Sequence, residues 1–257
     1  MEVRSFVFHC CNMQDVAPPP SQLAALIRSR QPCVVLTGAG MSTESGIPDF
    51  RSATGIWAEY DPMEVATIDA FRSDPVRVWD FYARRLGVLG PVEPNDGHRA
   101  IAELERRGLV DLVVTQNVDG LHQRAGSSDV VEVHGSLREA VCPACGRTEP
   151  MEAVQRQLEE EPVPTCPVCG AVLKPGVVMF GELLPQREID RAASAARAAA
   201  LTLVVGSSLE VWPAAGLPLE SRSFAIVNRG PTALDERAAL KIDAGAGETL
   251  SAVVAAL

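Results

Sequence analysis

Four of the seven cysteines stand in two Cys-x-x-Cys pairs whose spacing is typical of a metal site. The pairs are Cys142 with Cys145 and Cys166 with Cys169, and a glycine directly follows each pair. Four thiolates complete a closed tetrahedral shell around one zinc ion and leave no position for water, so the predicted metal is structural. Two disulfides or a redox pair are the competing interpretations, and a reducing compartment disfavours disulfides.

A glycine-rich turn is the second feature that could do chemistry. Val34 to Ser42 has the pattern of a buried strand that runs into Gly38-Ala39-Gly40. Glycines after a strand let backbone N–H groups approach a phosphate, and a following helix N-terminus adds partial positive charge. Thr43 stands where the dinucleotide fingerprint has its third glycine. By itself, the segment is therefore explained equally well as a nucleotide site or as a tight connection.

Apolar runs of strand length predict the elements that must position these groups. The runs lie at 34–36, 109–115, 130–133, 177–180, 201–205 and 224–228. Helical patterns cover 98–107 and 186–200, and Ser21 is the predicted N-cap of a helix through Arg30. Strands that alternate with helices predict a doubly wound, Rossmann-like α/β fold with a mostly parallel sheet.

The predicted domain organisation is one Rossmann-like domain with smaller insertions. A loose N-terminal arm covers 1–20, the Rossmann-like domain itself covers 21–137 and 174–257, and a zinc-binding module covers 138–173. A helical module at 52–95 carries most of the aromatic residues and is too long for a simple crossover. We expect it to lie over the carboxyl edge of the sheet.

Charge and composition exclude several classes of protein. The net charge of -10, together with the acidic segment 149–164, argues against nucleic acid as a partner and against a nucleic-acid-binding zinc ribbon. No run of 18 apolar residues and no signal-peptide pattern occurs, so no membrane partner is expected. Cys10, Cys11 and Cys33 remain outside the two pairs. We therefore predict a soluble, cytoplasmic protein.

Further polar clusters follow the predicted strands, where parallel strands line a ligand crevice. They are TQNVDGLH at 115–122, EVHG at 132–135, GSS at 206–208 and VN at 227–228. Together with GAGMSTESGIPDFR at 38–51, KPGVVMFGE at 174–182 and the cysteine pairs, this ordered set resembles the sirtuin family of NAD-dependent protein lysine deacylases. The resemblance runs from about Arg30 to Asn228.

The resemblance implies NAD as cofactor and assigns cofactor-binding residues by matched position. Those on the glycine turn and its mobile loop are Gly38, Ala39, Gly40, Ser42, Asp49, Phe50 and Arg51. Gln116, Asn117 and Asp119 match the nicotinamide pocket, and their amide and carboxylate groups can pair a carboxamide. Phosphate and adenosine-ribose contacts are implied for Gly206, Ser207 and Asn228.

His134 matches the catalytic histidine, which accepts a proton from a ribose hydroxyl after the acyl oxygen has attacked the ribose. The implied products are nicotinamide, deacylated lysine and 2′-O-acyl-ADP-ribose. His98 and His122 are interpreted as packing or capping residues. The implied partner is an acylated lysine of a protein substrate, whose backbone would lie as a strand between 209–211 and 178–182, with contacts to Val178, Phe180 and Gly181.

Tyr82 and Arg85 are three residues apart and would share one face of a helix. The sirtuin subgroup that removes malonyl, succinyl and glutaryl groups has a Tyr-x-x-Arg pair at this place for the acyl carboxylate, and Ala70 matches the small residue that widens its pocket. The resemblance thus implies a desuccinylase and demalonylase that retains some deacetylase activity.

Several alternatives remain at this stage. From its spacing alone, the Tyr82 and Arg85 pair fits a solvent-facing helix with an arginine cluster better than a binding site. A plain deacetylase and a mono-ADP-ribosyltransferase would use the same cofactor cleavage. A non-catalytic NAD or ADP-ribose binding module would be expected to lack His134 or Asn117, and both are present.

Overall fold

The computed structural model describes residues 19–257, which form nine strands and nine α-helices joined by short 3-10 turns. The strands are β1 (Cys33–Thr37), β2 (Leu112–Thr115), β3 (Val130–Glu132), β4 (Gly135–Val141), β5 (Thr148–Pro150), β6 (Lys174–Val177), β7 (Leu201–Val205), β8 (Phe224–Val227) and β9 (Leu240–Ile242). The helices are α1 (Pro19–Ser29), α2 (Pro62–Val65), α3 (Ile68–Ser73), α4 (Pro75–Leu89), α5 (Asp96–Arg106), α6 (Leu121–Arg124), α7 (Met151–Leu158), α8 (Gln186–Ala198) and α9 (Ala246–Ala256).

Six strands form one parallel sheet in the order β3-β2-β1-β7-β8-β9, which confirms the predicted doubly wound, Rossmann-like fold. Every residue of β1 and β7 is buried, as expected for central strands covered on both faces. Residues of α1, α5 and α9 pack on one face, and α8 packs on the other. The chain order reverses between β1 and β7, and ligands bind at such a switch point.

A small antiparallel sheet, β5-β4-β6, and helix α7 form a second unit, here called the zinc lobe (135–177). The helical module packs directly on the zinc lobe. Buried aromatic residues of α4 share one apolar cluster with Cys142, Leu173 and Met179, and the Trp79 indole N–H donates to the Leu173 carbonyl at 2.8 Å. These two insertions therefore have a common core that is separate from that of the parallel sheet.

Three sequence predictions about the elements need correction. Helix α1 begins at Pro19, so Ser21 lies inside it rather than at its N-cap; proline is tolerated in a first turn, where its missing N–H is not needed. The predicted strand 177–180 is wrong, because β6 ends at Val177 and pairs with β4 outside the main sheet. The small sheet also extends beyond the predicted 138–173 module at both ends.

Most of the predicted N-terminal arm, with Cys10 and Cys11, lies outside the described residues. Pro19 and Pro20, which that prediction assigned to the loose arm, belong to α1. Within residues 19–257, no helix has the length and apolar character needed to cross a membrane.

Candidate active site

A cleft of about 1040 Å³ lies at the switch point, between the carboxyl ends of the parallel strands and the helical module. The structure brings nearly all of the predicted site residues to this cleft. They are Gly38, Ala39, Gly40, Ser42, Asp49, Phe50, Arg51, Tyr82, Arg85, Gln116, Asn117, Asp119, His134, Val178, Phe180, Gly181, Gly206, Ser207 and Asn228. Side chains that are distant in sequence therefore share one enclosed volume of the size that small-molecule sites have.

The glycines after β1 and β7 pack backbone to backbone. A Cβ on Gly40 would come within 2.9 Å of the Gly206 carbonyl oxygen, and a Cβ on Gly38 would come equally close to Ser207. The amides of Gly38 and Gly40 donate to the carbonyls of Val205 and Gly206. These two amides are therefore not free for a phosphate, contrary to the simplest interpretation of the turn. Within 19–257, the Ala39 amide has no backbone or side-chain acceptor and faces the same cleft.

A buried hydrogen-bond network fixes the polar groups beyond the glycines. Ser42 Oγ donates to Asp119 Oδ2 at 2.7 Å, and Asn117 Nδ2 donates to Ser42 Oγ at 3.1 Å and to the Gly38 carbonyl at 3.0 Å. Gln116 Nε2 donates to Ser207 Oγ at 3.0 Å. The amide and hydroxyl groups that line this side are thus oriented before any ligand binds, which suits recognition of a carboxamide and a ribose.

His134 lies just before β4 with its ring at the cleft. Its Nδ1 is 3.1 Å from the Gln116 carbonyl oxygen. Because a carbonyl only accepts, Nδ1 carries the proton in the neutral ring and Nε2 remains a proton acceptor. Burial lowers the pKa of His134, and the bond to Gln116 opposes this effect. The ring is therefore neutral near pH 7, as a general base must be.

The other two described histidines lie behind this part of the cleft. His98 caps α5 together with Asn95, and its ring packs against that of His122 with centroids 4.8 Å apart. His122 Nε2 is 2.9 Å from Thr37 Oγ1. Burial lowers the pKa of His98 to about 4 and that of His122 to about 3. Both have the structural surroundings expected of packing and capping residues.

Residues 49–57, here called the cofactor loop, fold back on themselves at the mouth of the cleft. The amides of Ile56 and Trp57 donate to the carbonyls of Asp49 and Phe50, and the Asp49 side chain accepts the amide of Arg51 at 3.0 Å. Arg51 Nε forms an ion pair with Glu210 Oε2 at 3.2 Å across the mouth. The loop is thus a turn closed by its own backbone bonds.

Tyr82 and Arg85 both face the cleft from α4 rather than solvent, so the solvent-facing alternative is wrong for these side chains. Tyr82 is buried, and burial raises its pKa to about 12, which keeps its hydroxyl protonated as a donor. The Arg85 guanidinium lies over the rings of Phe50 and Phe81, 5.1 and 5.9 Å from their centroids. In the described chain, no carboxylate forms an ion pair with Arg85.

Ala70 is the predicted site residue that does not reach this cleft. It lines a separate, smaller hollow between the helical module and Phe180. The small residue that faces the cleft beside Tyr82 is Ala66, four positions earlier and just before α3. The structure therefore places Ala66, and not Ala70, at the cleft.

The segment that follows β6 offers less backbone to a substrate strand than the sequence predicted. Phe180 donates its amide to Ala66 and accepts from Ile68, and the Val178 amide donates to His134. Within the described residues, the Val178 carbonyl and the Gly181 amide make no such bond. Over residues 178–182, pairing with a peptide is limited to these groups and to the carbonyls of Gly181 and Glu182.

Sequence reasoning missed several cleft residues. Glu44, Trp57, Glu210 and Trp212 all line the cleft. Trp212 is largely exposed at the rim, although burial is usual for so large an apolar ring. Glu210 lies within the predicted substrate segment 209–211 but was not singled out, and Trp212 directly follows that segment, which is the signal that could have found it.

The four predicted metal ligands come together at the far end of the zinc lobe. All four Sγ atoms lie within 4.8 Å of one another, with Cys142 and Cys169 3.4 Å apart and Cys145 and Cys166 3.7 Å apart. A zinc ion at about 2.3 Å from each sulfur would separate the sulfurs by about 3.8 Å. These separations fit one tetrahedral ion and exceed the length of a disulfide bond.

Comparison with known proteins supports the predicted sirtuin resemblance over most of the chain. The Sir2 family profile matches residues 38–213. An NAD-dependent protein deacetylase of Geobacillus kaustophilus is 51% identical over 80% of this chain and 84% of its own length. An NAD-dependent protein deacylase of Archaeoglobus fulgidus is 44% identical over 86% of this chain and 91% of its own length.

Solved structures agree with these relatives. A Sir2 protein solved with a p53 peptide and NAD+ matches with a TM-score of 0.84 and 39% identity, over 91% of this chain and 96% of the other. A structure from work on the mechanism and regulation of Sir2 enzymes matches with a TM-score of 0.86 and 42% identity, over 93% and 97% of the two chains. The fold, the four-cysteine cluster and these similarities show that this chain belongs to the Sir2 family of NAD-dependent protein deacylases.

Proposed function

We propose that this deacylase prefers lysines carrying acidic acyl groups, succinyl and malonyl, and also removes acetyl groups. The observation that carries the proposal is a half-buried arginine, Arg85, that faces the cleft without a carboxylate partner in the described chain. Desolvation of a cation is costly, and the Asp119 carboxylate acts on Arg85 only from beyond ion-pair distance. A ligand carboxylate would supply charge-assisted bonds in two-pronged geometry. Tyr82 adds a protonated hydroxyl from the preceding turn of the same helix.

In this proposal, the two sides of the cleft have distinct tasks. NAD, when bound, supplies the ribose carbon that receives the acyl oxygen and the nicotinamide that leaves. Asn117 and Asp119 would orient the carboxamide, since their positions are already fixed through Ser42. His134 would accept a ribose hydroxyl proton at Nε2, because Nδ1 is occupied by the Gln116 carbonyl. The products are nicotinamide, free lysine and 2′-O-acyl-ADP-ribose.

The substrate is an acylated lysine of a protein or peptide, which would enter between Gly181 and Glu210. A p53 peptide and an acetylated peptide are bound by two of the structural neighbours. On this chain, Val178 and Gly181 retain a free carbonyl and a free amide for the substrate backbone. With so few backbone bonds available, we expect flanking sequence to be recognised weakly.

The test is a comparison of acetyl-, malonyl- and succinyl-lysine on one peptide at saturating NAD, scored by nicotinamide release and peptide mass. We expect higher kcat/KM for the two acidic groups. Arg85→Met should lower succinyl removal by about 10- to 150-fold, the equivalent of one charged hydrogen-bonding contact, whereas kcat for acetyl removal at saturating NAD should stay close to wild type.

Arg84→Met is the matched control, because Arg84 is exposed on the same helix and pairs with Asp80. It should change neither activity. Acetyl removal alone, or equal succinyl removal in the Arg85 variant, would contradict the acidic-acyl preference. Label from NAD that stays on the protein would indicate mono-ADP-ribosyl transfer instead.

A further inference from the structure

The cofactor loop and the acyl end of the cleft meet at one side chain. Phe50 belongs to the loop, Phe81 belongs to α4, and the Arg85 guanidinium lies over both rings. Trp57, at the other end of the loop, packs at a tilt against Phe50, with ring centroids 5.1 Å apart, and stacks on Phe81, with ring centroids 6.2 Å apart. A guanidinium over an aromatic face attracts it electrostatically, and burial strengthens this attraction.

Hydrogen bonds within the cofactor loop connect the position of Phe50 to that of Asp49 and Arg51. Trp57 donates its amide to the Phe50 carbonyl at 3.0 Å, and Ile56 donates to Asp49 at 2.8 Å. Asp49 in turn accepts the amides of Arg51 and Ser52. Because the turn is closed by these bonds, fixing the Phe50 ring also fixes Asp49 and Arg51 at the mouth.

We propose that Arg85 is a positioning residue for the cofactor loop. Through the face of Phe50, it keeps the loop in place for NAD whatever acyl group the lysine carries. The inference rests on the proposed assignment of this loop to NAD, and it adds a second role to the residue proposed to bind the acyl carboxylate. The two roles can be measured separately.

The first measurement is the KM for NAD on an acetyl-lysine peptide, whose acyl group has no carboxylate for Arg85 to bind. Arg85→Met should raise this KM by about 2- to 30-fold, the range for one cation–π contact. Phe50→Leu, which keeps bulk and loses the aromatic face, should also raise it. In the double variant, the two effects should not multiply, because each removes the same contact. Arg85→Lys should restore part of the wild-type value.

The second measurement does not depend on activity. Trypsin cleaves after arginine, and Arg51 is exposed on the loop. Without NAD, cleavage after Arg51 should be several-fold faster in Arg85→Met than in wild type. Arg84→Met, on the exposed side of α4, should match wild type in both measurements, and thermal unfolding would confirm that all variants are folded.

The outcomes separate this inference from the proposed function. An unchanged KM for NAD and unchanged cleavage after Arg51 in Arg85→Met would overturn the positioning role, even if succinyl preference were lost. Multiplying effects of the Phe50 and Arg85 substitutions would also overturn it. A raised KM for NAD in an enzyme without any succinyl preference would support the positioning role and contradict the acidic-acyl proposal.

Discussion

The two sides of the cleft differ in how completely their polar groups are paired. On the dinucleotide wall, formed by 38–42, 116–119 and 206–207, serine, asparagine and aspartate side chains bond to one another and to backbone. On the module wall, formed by Phe50, Phe81, Tyr82 and Arg85, aromatic rings surround a cation that has no carboxylate partner in the described chain. Hydrogen bonds between side chains fix the positions of the polar groups on the first wall. On the second wall, a cation without an ion-pair partner favours a ligand that carries a negative charge.

The walls also rest on different cores. The dinucleotide wall follows directly from the buried strands of the parallel sheet. The module wall packs on the zinc lobe, since Tyr82 and Phe81 share an apolar cluster with Leu173 and Met179. Loss of the metal should therefore affect the module wall first, while loss of a group on the paired side should affect all substrates equally.

Zinc removal should have the largest effect, because it acts on the core beneath the module wall. Binding energies on the order of 10–16 kcal/mol make such ions part of folding. We expect a zinc-free enzyme, or Cys145→Ser, to lose activity on every acyl group and to lose the packed environment of Trp79, measured by fluorescence and by thermal unfolding. Zinc content should be one ion per chain.

Cys33→Ala is the control for the metal experiment, because Cys33 is buried in β1 away from the cluster. It should keep its zinc, and added zinc should restore the stripped wild-type enzyme. A stripped enzyme that unfolds at the wild-type temperature would show that the module wall does not depend on the metal.

Removal of the His134 ring should have the next largest effect, and it should not discriminate between acyl groups. His134→Ala removes the general base, and such groups contribute about 10²- to 10⁴-fold in rate. The measurement is kcat on acetyl and succinyl peptides. The loss should be the same for both within a few-fold, in contrast to the selective loss expected for Arg85→Met. Unequal losses would mean that the two walls do not act separately.

Acidification should weaken the dinucleotide wall by a smaller amount. Burial lowers the pKa of His98 to about 4 and that of His122 to about 3, below the ordinary value of about 6.5. Below pH 6.5 these two histidines are protonated in the unfolded chain but stay neutral in the folded chain. The free energy of unfolding therefore falls as the pH is lowered, until the pH reaches the pKa values of the folded state. From pH 7.5 to 5, we expect a loss on the order of 2–4 kcal/mol in the free energy of unfolding.

Urea unfolding at the two pH values measures this loss, and His122→Gln should reduce the difference. Asn95, His98 and Thr37 would remain to support the wall. Equal stability of wild type at pH 7.5 and pH 5 would contradict the assignment of these histidines as neutral buried groups.

The sheet and the metal site were predictable because their signals are local. The apolar run 201–205 is β7 residue for residue, and the cysteine spacing alone brought four sulfurs to one point. The strand predicted at 177–180 failed because the Phe180 amide and carbonyl bond to residues about 110 positions away, at Ala66 and Ile68, which no local pattern encodes.

The site shows the same limit. The family resemblance named the residues of the dinucleotide wall. It did not predict that the amides of Gly38 and Gly40 donate to the carbonyls of Val205 and Gly206. Spacing could place Tyr82 and Arg85 on one face of α4 but could not tell which face met the cleft. Nor could the sequence tell which of Ala66 and Ala70 lines the cleft, because Ala66 precedes the short helix α3 and Ala70 lies within it.

The bond from Trp79 to the Leu173 carbonyl has a consequence for protein engineering. Acyl preference could be exchanged between relatives by grafting helix α4 alone. Such a graft would transfer Trp79 without the Leu173 carbonyl, its hydrogen-bond acceptor in the zinc lobe. Residues 62–89 and 135–177 should therefore be exchanged together as one cassette. A chimera that takes these two segments from different proteins would combine two halves of one apolar core whose side chains are not matched to each other.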